Sequence, residues 1–171
     1  MASWFDVRLL HIEEVYNTST PKLPLKAYIN HDIFKIYLAD VGLLGAMARL
    51  SAKAIIYGDS IFQEFQGALI ENYVTQELVR QGYEAFYWTS SGQAELDFML
   101  QLEDIIYPLE VKSGTSLKKK SLTAYMQKYQ PSLAIRVSPM NLKLDGIILN
   151  CPLYLIGSLN SLVKQSVNIP N

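Results

Sequence analysis

At 171 residues the chain is long enough for one domain with a small appendage, and half of it is apolar, so a sizeable core can be buried. Charged residues make up 18% and the formal net charge is -1, which excludes a disordered polyelectrolyte and singles out no partner by charge alone. A single cysteine, Cys151, excludes an internal disulfide framework and fits a reducing compartment.

In chain order, WFDVRLLHIEEVY and LKAYINHDIFKIYLAD read as two extended runs around the turn-rich NTSTPKLP, and GLLGAMARLS follows as a short helix. This pattern looks like the tail of a winged-helix module, so residues 1–50 are expected to form a remnant or linker and 51–171 the main domain. Trp4, Phe5, Leu9 and Leu10 open the chain with no preceding element to bury them, which leads us to expect a fragment of a longer protein. SIFQEFQGALIENYVTQELVRQG is the clearest helix: Phe62, Phe65, Leu69 and Tyr73 recur at helical spacing, and Gly82 can end it. A strand EAFYWT, a polar turn SSGQ and the strands ELDFML and IIYPLEV come next. SLKKKSLTAYMQKY then places Leu122, Tyr125, Met126 and Tyr129 on one helix face, with Pro131 as its stop. SLAIRVS, GIILN and PLYLI read as short strands. From residue 60 the order is helix, three strands, helix and strands, which predicts an α/β (α+β) class. The longest apolar run, LDGIILNCPLYLIG, is broken by Asp, Asn and Pro short of the roughly 20 residues that cross a bilayer. With no signal-peptide pattern either, a cytoplasmic protein with no membrane partner is expected.

The charge is unevenly spread. From Asp59 to Glu110 there are ten acidic residues and one basic one, Arg80; from Lys112 to Lys143 there are seven basic residues and no acidic ones. A site that holds a cation among carboxylates and takes a polyanion on adjacent lysines has this signature, although chance can also produce it.

Within ELDFMLQLEDIIYPLEVKSG, strand alternation puts Glu95, Asp97 and Met99 on one face and Leu96, Phe98 and Leu100 on the other. Glu110 and Lys112 share a face of the next strand. An even loop near Leu102–Asp104 sets both charged groups on one side of the sheet, with Asp97 opposite or diagonal to Glu110. Two carboxylates that close repel unless a positive charge lies between them, and Mg²⁺ (or Mn²⁺) suits such a pair because it keeps waters for substrate phosphates. Lys112 is then placed to hold or deprotonate a water or to stabilise a phosphate. Pro108, which lacks a ladder donor, predicts a bulge beside the site. The competing account is a half-exposed hairpin with a cross-strand salt bridge.

Asp97 followed by Glu110-Val111-Lys112 resembles the acid…(D/E)xK core of the PD-(D/E)xK nuclease superfamily, although Leu96 stands where the literal motif has proline. The resemblance implies a restriction-endonuclease-like core with a central mixed sheet flanked by helices, and a Mg²⁺-dependent phosphodiesterase. It implies metal ligation by Asp97, Glu110 and Glu71 of the preceding helix, with Lys112 acting on the attacking water. It also implies nucleic-acid contacts, DNA first, from Lys118, Lys119, Lys120, Gln127 and Lys128. Glu95 and Asn72 are candidates for positioning the ligands. More specifically, FKIYLADVGLLGA, GALIENYVTQEL, GQAELDFML and PLEVKSG resemble the C-terminal region of a prokaryotic family of AAA+-type ATPases, the domain of unknown function 4143. That likeness implies an upstream ATPase domain as partner, since G-x-x-x-x-G-K-[ST] is absent from these 171 residues. The other expectation is an inactive nuclease fold that serves as a nucleic-acid or protein interaction module. His11 and His31 have no cysteine or histidine at ligand spacing, so no zinc site is expected.

Overall fold

The computed structural model describes residues 12–53, 60–90, 94–114 and 120–167. Trp4, Phe5, Leu9, Leu10, His11, turn residues 91–93, Lys118 and Lys119 lie outside that set.

An eight-stranded mixed sheet forms the centre of the molecule, in the order β2-β1-β3-β4-β5-β6-β8-β7. β1 (Ile12–Thr18) and β2 (Asn30–Leu38) pair antiparallel. β1 then runs parallel to β3 (Ala85–Thr89), so the first 50 residues contribute two strands to the same sheet. β4 (Glu95–Leu102) and β5 (Ile105–Val111) form the expected hairpin about a two-residue turn, Glu103-Asp104. β6 (Ala134–Ser138) lies parallel to β5, and β8 (Ile148–Pro152) lies between β6 and the short edge strand β7 (Lys143–Asp145).

Helices cover both faces. α1 (Val41–Met47) starts where Asp40 accepts the Leu43 N–H at 2.7 Å, a side-chain N-cap. α2 (Ser60–Arg80) ends at Gly82, whose φ of 82° closes the last turn at little steric cost. Val74 and Leu78 of α2 pack on Phe98, Leu100, Leu109 and Ile135. On the opposite face α3 (Lys120–Tyr129) packs Leu122 and Tyr125 against Phe86, Trp88, Leu96 and Met99. Trp88, Tyr125 and Tyr129 meet edge to face or tilted, which accounts for the aromatic residues here as core.

Three local expectations are corrected. PLYLI is not a strand: Leu153–Ser158 is a 3-10 helix leading into α4 (Leu159–Val167). Its inward residues, Ile156, Leu159 and Val163, fall at helical spacing, and β8 already has a neighbour on each side. Pro108 makes no bulge: the β4–β5 register runs unbroken from Phe98↔Leu109 to Leu102↔Ile105. The Lys112 N–H bonds Val137 O, so by alternation the Pro108 ring nitrogen also faces β6, whose pairing with β5 starts one residue later at Leu109↔Ile135. The bulge is in β4 instead. Phe86↔Met99 is followed by Trp88↔Leu96, so Asp97 and Phe98 together oppose Tyr87. Strict alternation therefore fails, and Leu96 packs in the same layer as Met99 while Phe98 joins Leu100.

Candidate carboxylate-lysine site

The bulge sets Asp97 at the point where β4 and β5 part. One further ladder step would give the Val111 N–H to a β4 carbonyl, but the Asp97 carboxylate takes it at 2.7 Å. Burial raises the Asp97 carboxyl from 3.8 to about 7; the Val111 N–H opposes the rise, the Glu71 charge adds to it, and Lys35 and Lys112 reduce it.

The predicted charges divide into two groups joined through that hydrogen bond. In the first, Glu71 of α2 receives two side chains from β2: Lys35 Nζ at 3.1 Å and the Tyr37 hydroxyl. The same ammonium lies 2.6 Å from Glu95 and 5.0 Å from the Tyr87 ring centroid. Burial lowers the Lys35 pKa, but the hydrogen bonds and charges of Glu95 and Glu71 outweigh it and hold the group above its usual value. Burial, then the Glu71 charge, pushes the Tyr37 hydroxyl well above the usual tyrosine range. A cavity of about 470 Å³ opens beside Lys35, Tyr37, Phe65 and Glu71.

In the second group, Glu110 is 3% exposed and its Oε1 lies 3.0 Å from Lys112 Nζ, while its Oε2 has no hydrogen-bond partner. Leu109 and Val111 pack into the α2 layer, so Glu110 between them turns to the α3 side.

Asn72 grips the end of β2 and does not touch Glu71: its amide accepts from Leu38 N at 2.8 Å and donates to Leu38 O at 2.9 Å. That clamp fixes the strand carrying Lys35 and Tyr37 on α2. Glu95 pairs with Lys35 and not with Lys112. Lys120 and Lys128 are exposed on α3. Among the described residues, no three carboxylate, histidine or cysteine side chains stand close enough together to hold a metal ion.

Sequence reasoning missed Lys35 and Tyr37. Their signal was their separation by two residues in FKIYLAD, which puts both on one face of an extended strand. Replacing Lys35 leaves Glu71 and Glu95 without their shared counter-charge. Lys35→Met is expected to lower stability by about 1–2 kcal/mol in urea unfolding, a buried-pair loss reduced for partial exposure of all three side chains. Lys35→Met combined with Glu71→Gln should recover part of that loss.

The fold and site define a mixed α/β domain with a cluster of carboxylates and lysines at the diverging ends of two central strands. The chain belongs to the family described as domain of unknown function (DUF4143), whose model matches residues 66–155. The matched span contains Glu71, Asp97, Glu110 and Lys112, whereas Lys35 and Tyr37 precede it. No curated protein and no solved structure matches the chain. Among the described residues no helix is long and apolar enough to cross a membrane.

Proposed function

We propose that this chain is a metal-dependent nuclease-like domain of the PD-(D/E)xK type, acting on nucleic acid, DNA first. The observation that carries the reading is that the open end of the hairpin holds two ill-satisfied carboxylates: Asp97, whose carboxyl burial raises to about 7, and Glu110, whose Oε2 is buried and unpartnered on the α3 side. A divalent cation would offset the burial cost of the Asp97 carboxylate and give the free Glu110 oxygen a partner. The order α2-β3-β4-β5-α3-β6, with β3–β4 and β4–β5 antiparallel and β5–β6 parallel, suits a restriction-endonuclease-like core.

Asp97 would hold Mg²⁺ or Mn²⁺, joined by Glu71 on leaving Lys35 and by Glu110 on turning from the α3 side. Such an ion supplies charge stabilisation at a phosphate and a more acidic bound water. Lys112, 29% exposed, can hold the attacking water or meet developing negative charge on the phosphate. Lys120 and Lys128 on α3, with Lys118 and Lys119, would contact the backbone phosphates. An ATPase domain in a longer chain and a cytoplasmic setting belong to the same reading.

One observation favours a second reading, an inactive nuclease fold that binds nucleic acid or protein: Glu71 is already held by Lys35 and Tyr37. Incubating purified protein with plasmid DNA, single-stranded DNA and RNA, with Mg²⁺ or Mn²⁺, separates the two. The nuclease predicts cleavage lost by at least about a hundredfold in Asp97→Ala and Lys112→Ala. Binding that persists in both variants with no cleavage by wild type would leave only the interaction module.

A further inference from the structure

We infer that the cavity between β6 and β7 binds a small organic monoanion, a carboxylate carrying an apolar body, through Arg136. This site does not rest on the nuclease reading.

Arg136 is 4% exposed, and its Nε and Nη2 have no hydrogen-bond partner. A guanidinium so buried needs an anion, because desolvation without a partner is costly. Its neighbours do not supply one. In register it stands between Glu110 of β5 and Asn150 of β8. Glu110 gives only its Oε1 to Lys112; its Oε2 is buried and unpartnered, but makes no ion pair with Arg136 among the described residues. The Asn150 amide is spent on the β6–β7 turn: Oδ1 accepts from the Ser138 hydroxyl at 2.7 Å, and Nδ2 donates to Met140 O at 3.0 Å and Asn141 O at 2.9 Å.

Those three bonds build the site as well as exhausting Asn150. They hold the turn in place beside Arg136 and leave a cavity of about 340 Å³, within the usual range for small-ligand sites. Lys143 and Asp145 also line it, so with Arg136 the charges sum to +1 and a single negative charge balances them. Met140 and Leu142 line it too, 41% and 45% exposed, and offer apolar contact to the body of a ligand. A planar carboxylate matches the guanidinium fork, whereas a phosphate dianion overshoots the charge.

The test uses ¹⁵N-labelled protein, the Arg136 Nε–Hε resonance and thermal melting, with benzoate, neutral benzamide, inorganic phosphate and N-acetylleucine as probes. Benzoate should shift the resonance and raise the melting temperature, with benzamide inert and phosphate weaker. N-acetylleucine, acting more strongly than benzoate, would make the source the end of a peptide chain; acting less strongly, it would make the source a free acid. Arg136→Met keeps the volume and should fold, with benzoate binding weakened by at least about tenfold. If that variant fails to fold, the wild-type resonance decides alone: movement with benzoate and not benzamide keeps the proposal, and none overturns it. A resonance that answers to Glu110→Gln but to no anion would make Arg136 a structural partner of Glu110 and overturn the proposal as well.

Discussion

Asp97→Asn is expected to make the protein more stable than wild type at pH 8 and to lose most of that advantage at pH 4. The folded-state pKa of Asp97 is raised from 3.8 to about 7, mainly by burial. The folded protein therefore binds a proton that the unfolded chain has released, and the sign follows. The contribution of Asp97 is fully present below pH 4 and is lost as pH rises through 7. At about 1.4 kcal/mol per pKa unit, and allowing for partial exposure, the loss amounts to roughly 3 kcal/mol by pH 8. Asparagine has no such titration and can still accept the Val111 N–H through its amide oxygen. Urea unfolding of both proteins at pH 4, 6 and 8 measures the difference. Parallel curves for the two would mean that Asp97 is not held in the buried state its geometry describes. On the nuclease reading, Mg²⁺ at pH 8 should return much of the lost stability to wild type and little to Asp97→Asn.

The parts of this molecule legible in its sequence are those set by local chemistry. α2 carries its stripe and its terminal glycine in consecutive residues, and the β4–β5 hairpin announces itself through two apolar runs about a short polar turn. The C-terminal stretch was not legible in the same way. GIILNCPLYLIG is apolar apart from Asn150 and Pro152 and shows no clear period, and where strand passes into helix depends on β7 having already taken the free edge of β8. The bulge at Asp97 is likewise a property of β4 against β3 and leaves no mark in ELDFML itself.

The candidate site divides along the same line. Asp97, Glu110 and Lys112 were visible because a strand pair brings them close in sequence. Lys35 and Tyr37 reach Glu71 from 36 and 34 residues away, on a strand brought to α2 by parallel pairing of β1 with β3 and by the Asn72 clamp. Long-range pairing of this kind carries no local signature. Arg136 was counted only as one of seven positive charges, because an isolated arginine within an apolar strand does not reveal that its partner is missing.

Lys112→Met is expected to cost about 3 kcal/mol of folding stability, because it strands a carboxylate that is 3% exposed with both oxygens unpartnered. The pair is shielded from solvent on the Glu110 side, so added salt should change the cost little. Glu110→Gln alone removes the buried charge and leaves a 29% exposed ammonium that water can serve, so it should cost much less. The double variant, Glu110→Gln with Lys112→Met, should then recover most of the 3 kcal/mol lost by the single one, a coupling that chemical denaturation of all four proteins measures directly. A Lys112→Met single variant as stable as wild type would sink this account of the pair. The asymmetry also decides how the proposed chemistry is tested. Loss of cleavage in a Lys112 variant mixes a missing catalytic amine with a destabilised hairpin, whereas loss in Glu110→Gln, on a fold that remains stable, points to the carboxylate's own part in holding the metal.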